Sequence, residues 1–477
     1  MTVGPRRLGR AMSETPDTPA ARPAETLAEV EDALLSRWPE TRLDPTLDRI
    51  TDFVELLGNP QAAQRTVHLT GTNGKTSTAR MVETILRGLG LRTGRFTSPH
   101  LETIRERIVI DGEPLDEEAF IRAFNDVAPY THLVDAQHDH PMSFFETVVG
   151  MAYAAFADAP VDVAVVEVGM GGTWDATNVV QADVAVLTPI AVDHEAYLGE
   201  SPVAIAYEKV GIIKPGSVVV TAEQYDEVFA VIAAKAAEVG ATVLRAGCDF
   251  EVSHRVAAVG GQVLTIDTPH ARYPDLFLPL YGAHQGDNAA LALVAVEALV
   301  GGGEPIGAEV LQQAFEEITS PGRLEVIRRS PTIVLDAAHN PHGARAMVDA
   351  LDDSFNFSPL IGVVGVMKDK EWEEMLAIFE PHFAHIVCTQ NSMDRALPAN
   401  FLGEIARGIY GNDRVSVAPR LEDAIDQAAA LAEAGGVFGE GIGSGGVLVT
   451  GSVVTVGEAR ALLKPRGRAA EVEGTRD

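Results

Sequence analysis

The stretch HLTGTNGKTST, residues 68–78, places a lysine and several hydroxyl side chains directly after a glycine. A glycine-rich turn ahead of a helix aims backbone N–H groups inward, and the helix N-terminus adds the positive end of its dipole. That combination suits phosphate. Lys75 supplies a point charge for β and γ phosphates, and Thr76 or Ser77 can face a Mg2+ ion. The spacing departs from the usual G-x-x-x-x-G-K-[ST] loop. The residue five before Gly74 is Leu69, and the upstream glycine, Gly71, sits three before it.

Three further side chains have types suited to nucleotide chemistry. Glu167 ends the apolar run DVAVVEVG, residues 162–169, where a nucleotide-metal contact often sits. Burying a lone carboxylate is costly unless it is paired or metal-bound. His194 follows a second such run, DVAVLTPI, and has acidic neighbours in Asp193 and Glu195. A lone histidine is more often structural, but this one follows a strand end parallel to that of Glu167. Lys209 lies in an otherwise apolar helical stretch that stops before Pro215-Gly216. A desolvated lysine has a lowered pKa, and its neutral amine can take up CO2 as a carbamate. On helix geometry alone, a Glu208–Lys209 surface pair is the default reading.

Such residues need strands that end at a common edge. Residues 66–69 read as a short buried strand, and 76–89 as a helix ending at Gly90, so the loop sits at a strand–helix junction. The runs at 162–169, 183–190 and 216–222 fit buried parallel strands. Strands alternating with helices predict an α/β fold. Residues 27–57 predict two short helices. Pro321-Gly322 breaks a preceding helix, and new strands follow at TIVLDA, LIGVVGVM, HIVCTQ and VLVTGS. The expected division is a disordered tail at 1–25, an ATP-binding domain at 26–322 and a second α/β domain at 323–477. AGGVFGEGIGSGG, residues 434–446, carries seven glycines in 13 residues and reads as a flexible surface loop.

Composition narrows the function. The chain has 477 residues and a net charge of −31, which argues against nucleic acid as a partner. Any nucleotide site must therefore be locally basic or metal-assisted. The two cysteines, Cys248 and Cys388, suggest neither a disulfide framework nor a zinc site. No segment approaches the ~20 apolar residues of a membrane span, so no membrane partner is expected. The first 25 residues lack the apolar core of a secretory signal, and a cytoplasmic location is expected.

The loop, FTSPHLETIRERI, EVGMGGTWDATN, DHEAYLG, YEKVGIIKPG, GAHQGDN, PGRLE and LDAAHNPHG occur in one order. Together, from about residue 27 to 457, they closely resemble the folylpolyglutamate synthase and dihydrofolate synthase/folylpolyglutamate synthase family of the Mur ligase superfamily. In Mur-type ligases the glycine stands three residues before Gly-Lys, as here. The resemblance implies a Mur-ligase-like P-loop ATPase domain with a parallel sheet, followed by a C-terminal Rossmann-like α/β domain. It implies that Thr72, Asn73, Gly74, Lys75 and Thr76 contact ATP phosphates, and that Asn288, Arg323 and Asp336 contact the nucleotide near the domain junction. It assigns Ser98, Glu167 and His194 to magnesium, with two Mg2+ ions expected. Lys209 matches the lysine that is carboxylated in the family and would help hold the second ion. Lys75, Glu167, His194 and Lys209 are thus the expected catalytic set. Asp44, Pro45, Thr46, Ser143, Phe144, Phe145, Glu146, Trp174, Asp175 and Ala176 match segments that contact the pterin substrate. Aromatic rings can stack on a flat pterin, and a carboxylate can accept its N–H donors; plain core packing is the competing reading for Phe144 and Phe145.

The implied reaction joins L-glutamate to dihydropteroate or to a reduced folate, at the expense of ATP, through an acyl phosphate. The expected partners are those small molecules, and the expected state is a monomer. Two positions depart from the pattern: many members have arginine where this chain has Thr173, and glycine where it has Thr76. A Mur-type amide ligase with another carboxylate acceptor is the alternative. A cell-wall ligase would carry a UDP-sugar-binding domain, but only about 40 residues separate the tail from the first strand of the ATPase domain. A GTPase would carry an Asn-Lys-x-Asp motif, which is absent. A decayed, non-catalytic site is disfavoured by the intact Lys75, Glu167, His194 and Lys209.

Overall fold

The computed structural model describes residues 22–39, 44–193, 195–434 and 445–464. Short apolar runs bounded by turn residues form the strands of a large central sheet. In chain order these are β1 (Arg65–Thr70), β2 (Thr93–Phe96), β3 (Ile108–Ile110), β4 (Glu113–Pro114), β5 (Val163–Glu167), β6 (Val184–Leu187), β7 (Val218–Thr221) and β8 (Thr242–Arg245). Their spatial order is β4-β3-β2-β5-β1-β6-β7-β8. The chain therefore leaves β1 toward β2 and β5 on one side, then toward β6 on the other. The crevice beyond the carboxyl ends of strands at such a reversal is the usual ligand position in open α/β sheets.

Register brings the chemistry together at that edge. Leu69 pairs with Glu167 and Thr70 with Leu187, so three loops leave side by side. Val67, Leu69, Val165 and Val186 are fully buried, and the helix Lys75–Gly88 packs Ala79, Val82, Ile85 and Leu86 into the same core. Two short helices, Leu27–Leu35 and Asp48–Leu56, cover part of the opposite side, as expected.

Purely parallel pairing is not what the sheets show. β2 pairs β3, and β3 pairs β4, antiparallel. The strands β9 (Glu251–Ala258), β10 (Gly261–Asp267) and β11 (Arg272–Leu278) form a separate antiparallel sheet. β9 shows a mostly exposed burial pattern, so it lacks the continuous apolar run that marks a buried strand.

A second sheet contains β12 (Glu325–Arg329), β13 (Thr332–Leu335), β14 (Leu360–Val364), β15 (His385–Cys388), β16 (Val415–Val417) and β17 (Gly446–Thr450), in the order β12-β13-β17-β14-β15-β16. All neighbours pair parallel except β12 with β13. The helix before Pro321 ends at Glu316, earlier than the Pro-Gly step. The two sheets are joined by more than the chain: Arg460 reaches both Glu325 and Glu102 at 2.8 Å.

Two expectations fall largely outside the described residues: the tail and the glycine-rich loop. Ala24, within the expected tail, exchanges two hydrogen bonds of 2.9 Å with the Asn125 side chain. Gly446 belongs to β17. Among the described residues no helix is long and apolar enough to cross a membrane.

Candidate active site

The loop after β1 is held against its neighbours at two glycines. A Cβ on Gly71, at φ +147°, would lie 1.8 Å from Thr188 Oγ1; one on Gly74, at φ +90°, would lie 2.6 Å from Asn288 Oδ1. Only glycine adopts such backbone without strain. Thr72 pins the loop by donating from Oγ1 to the Ala191 carbonyl at 2.8 Å and accepting from the Ala191 amide at 3.0 Å. Lys75 folds back over the loop, with Nζ donating to the Gly71 and Thr72 carbonyls at 3.1 and 3.2 Å.

The two hydroxyls after Lys75 take different partners. Thr76 Oγ1 lies 2.9 Å from both carboxylate oxygens of Glu167. Ser77 turns away from the loop, its Oγ 2.9 Å from Ser320 Oγ. Thr76, not Ser77, therefore faces the expected metal position. The Ser98 amide also donates to Glu167, at 3.3 Å. Burial pushes the Glu167 carboxyl up, against the Lys75 charge and these hydrogen bonds.

Glu167 and Thr76 offer hard oxygen donors at one spot, and Ser98 lines the same cleft. Among the described residues no group of three or more His, Cys, Asp or Glu could hold a metal ion by itself. That donor set fits Mg2+, which is commonly held by one or two carboxylates plus substrate phosphates. His194 lies outside the described residues.

Lys209 is buried, at 4 % exposure, and its Nζ donates to the Gly71 carbonyl at 2.8 Å. The surface pair with Glu208 does not form; Glu208 instead accepts from the Trp174 amide. Burial pulls the Lys209 ammonium down to about 7, and the Lys75 charge acts in the same direction. Thr173 Oγ1 donates to the Glu208 carbonyl at 3.0 Å, so this departure from the family pattern braces the Lys209 helix.

The loop, Ser98, Glu167, Lys209, Asn288, Arg323 and Asp336 all line one cleft of about 180 Å³ between the two sheets. Asp336 holds its own surroundings: its carboxylate accepts from the Leu324 and Ala338 amides at 3.0 and 2.9 Å. Asn288 is oriented by Gln285, 3.2 Å away.

The pterin-matching residues line none of that cleft. They form a neighbouring wall. The Phe145 ring abuts Gly169 and stands edge-on to Phe96 at 5.8 Å. Phe144 is 7 % exposed and belongs to the core, as the packing reading has it. Ser143 and Glu146 form a reciprocal helix cap, and Arg49 bridges Glu146 and Asp44 at 3.1 and 2.5 Å. Asp175 accepts from Thr177 and from the Met170 amide. Thr46 Oγ1 accepts from the Asp48 amide at 3.1 Å, while Pro45 is exposed. Trp174 is partly buried and Ala176 buried. The carboxylates at 146 and 175 are therefore mostly committed within the protein, which weakens their reading as acceptors for pterin N–H groups.

Sequence reasoning did not find the residues that join the two halves. Asn73 and Asn340 exchange side-chain hydrogen bonds at 3.3 and 3.2 Å. Asn340 also donates to Asp193 at 3.0 Å, and Lys370 donates to Asp193 at 2.8 Å. The Asn-Pro step in LDAAHNPHG was a usable signal, since it marks a helix start. Lys370 and Arg49 carry no local pattern.

Residues 69–296 match the Mur ligase middle domain family, and residues 322–453 match the Mur ligase, glutamate ligase domain family. The dihydrofolate synthase/folylpolyglutamate synthase of Mycobacterium tuberculosis is 45% identical over 96% of this chain and 98% of its own. That of Escherichia coli is 32% identical over 70% of this chain and 75% of its own. Among solved structures, the Mycobacterium tuberculosis folylpolyglutamate synthase complexed with ADP superposes with a TM-score of 0.88 at 45% identity, covering 92% of this chain and 98% of the other. An Escherichia coli FolC complex with DHPP and ADP gives 0.80 at 28% identity, covering 93% and 99%. With its loop, buried glutamate and two-sheet cleft in that arrangement, the chain belongs to the dihydrofolate synthase/folylpolyglutamate synthase family of Mur ligases.

Proposed function

We propose that this chain is an ATP-dependent ligase that joins L-glutamate to dihydropteroate and to the γ-carboxylate of reduced folates. The observation that carries this reading is the convergence of the short phosphate loop, Glu167 and Lys209 in one cleft between the two sheets. The amides of the loop and Lys75 hold the triphosphate, once Nζ leaves the loop carbonyls. The acceptor carboxylate then attacks the γ-phosphorus, ADP departs, and an acyl phosphate forms. The amino group of L-glutamate attacks that carbonyl, loses a proton and expels phosphate. No side-chain nucleophile is required; positioning and electrostatics supply the rate. Mg2+ held by Glu167, Thr76, Ser98 and His194 would neutralise charge on the transferring phosphoryl group.

Lys209 is proposed to be carboxylated: its neutral amine adds CO2 and releases a proton, turning a cation into an anion that would help hold a second Mg2+. Burial in reach of the loop supports this, because the neutral amine is accessible near pH 7. Labelling with 13C-bicarbonate is expected to give a carbamate resonance that Lys209→Ala lacks. Normal turnover by a folded Lys209→Ala protein would sink the idea. The decisive assay offers purified protein ATP, Mg2+, labelled L-glutamate and either acceptor. Incorporation is expected with both, and none with either would end the folate reading.

A further inference from the structure

Beside the main cleft lies a smaller cavity of about 40 Å³. That is room for a few water-sized groups, such as a carboxylate. The two share Thr76, Pro99, Arg323 and Val453 as walls, so the cavity adjoins the proposed reaction centre. Its wall carries two guanidinium groups and one carboxylate, that of Glu106. Arg80 and Arg323 both line it. The Arg80 guanidinium has no hydrogen-bond or ion-pair partner among the described residues; the Thr84 hydroxyl donates to its backbone carbonyl instead. Among the described residues Arg323 donates only to the neighbouring Gly322 carbonyl, at 3.2 Å.

The acids near Arg80 are already committed. Glu83 holds Arg95 at 2.7 Å. Glu106, on the cavity wall, accepts from the Leu101, Glu102 and Thr103 amides. Burial, with the Arg95 charge acting in the same direction, pulls the Arg80 guanidinium down to about 9. His100, also on the wall, accepts from Arg107 Nε at its Nδ1, 3.1 Å away, which leaves the neutral ring an Nε2–H to donate.

We propose that Arg80, together with His100, binds the non-reacting α-carboxylate of the acceptor's terminal glutamyl residue, while Arg323, at the shared wall, stays with the nucleotide. The assignment rests on the ligase reading above. A glutamyl acceptor brings two carboxylates, and only the γ one is phosphorylated. The other stays anionic a few bonds away, and a guanidinium fork matches it. The walls favour the acceptor over the incoming amino acid. They come mainly from the helix Lys75–Gly88 and the segment 97–106, beside the phosphate loop and Glu167 where the acceptor's reacting carboxylate must lie.

Steady-state kinetics of the wild type, Arg80→Met and Arg80→Lys test this with two acceptors. One is tetrahydropteroylglutamate; the other is its γ-aminobutyrate analogue, which keeps the reacting carboxylate and lacks the α one. Arg80→Met is expected to raise KM for the glutamate acceptor about tenfold or more, and to leave KM for the analogue, ATP and L-glutamate within about twofold. Arg80→Lys should fall between, since it keeps charge but loses the fork. The thermal midpoint of Arg80→Met should not drop, because no internal partner is lost. If that variant fails to fold, Arg80→Lys must still show the acceptor-specific rise. Equal rises for both acceptors, or a rise confined to ATP or to L-glutamate, overturn the assignment. Absence of wild-type turnover with every acceptor overturns the ligase reading instead.

Discussion

Gly71 carries the tightest geometric constraint in the phosphate loop. Its added Cβ would meet both the hydroxyl and the backbone carbonyl of Thr188, neither of which is a free end. Gly71→Ala should therefore lower stability by about 1–3 kcal/mol through strained backbone and displacement of β6's exit. In a chain of this size, the thermal midpoint should fall by several degrees. Activity should fall further than stability, because the Gly71 carbonyl also receives Lys75 and Lys209. An unchanged midpoint and unchanged turnover would show that the loop relaxes freely. Thr76 is the second instructive position. Its hydroxyl meets Glu167 symmetrically, so it supplies a contact that a glycine there could not make. Thr76→Gly should loosen Glu167 and raise the Mg2+ concentration needed for half-maximal rate, by about tenfold if one charge-assisted hydrogen bond is lost.

At the scale of elements, the helix Pro341–Ser354 is positioned from its first residue. Asn340 caps it by accepting from the Gly343 amide at 2.8 Å. The same side chain turns its amide toward Asn73 and Asp193, across the cleft. One residue thus starts a helix of the second domain and ties it to the phosphate loop of the first. Asn340→Asp keeps the cap and loses both donated bonds. It also sets a second buried carboxylate against Asp193, so kcat/KM is expected to drop about 10-fold or more and the thermal midpoint to fall as well. Asn73→Ala and Asn340→Ala should be coupled in a double-mutant cycle, by about 0.5–3 kcal/mol of transition-state stabilisation. Strict additivity would mean that the contact is incidental.

For the whole molecule, burial of titratable groups sets the response to acid. His68, on β1, is fully buried, its Nε2 2.9 Å from Thr177 Oγ1 and its Nδ1 without a partner among the described residues. Burial holds the ring down at about 3, and the Lys214 charge adds to this. Unfolding exposes an imidazole of ordinary pKa, so between about 6.5 and 3 the unfolded chain binds the extra proton. The contribution of His68 is therefore fully present above the unfolded value and is lost as pH falls toward the folded one. His68→Gln, which does not titrate, should lose less stability than the wild type between pH 6.5 and 4.5. Urea midpoints across that range check it, and parallel losses in the two proteins would contradict it.

The motifs were legible because their chemistry depends on neighbours in the chain. Gly-Lys-Thr at the start of a helix, and Glu167 at the end of an apolar run, are local patterns with local causes. The alternation of strands and helices was legible for the same reason. The antiparallel sheet β9–β11 was not, since its outer strands β9 and β11 are mostly exposed or irregularly buried and carry weak periodicity. Nor was the choice of Thr76 over Ser77, which depends on where Glu167 and Ser320 come to lie. The same holds for Lys209: its helix alone suggested a surface pair, and only the packing of that helix beneath the loop buried the amine. Asp193, Asn340 and Lys370 are separated by up to 177 positions, and Arg80 stands unpaired only because Glu83 and Glu106 are taken by others. Sequence by itself determined the fold class and the phosphate loop, through short-range periodicity and backbone preference. Tertiary structure decided which side chains meet and which charges lack a partner, because desolvation and pairing depend on what the rest of the chain brings alongside.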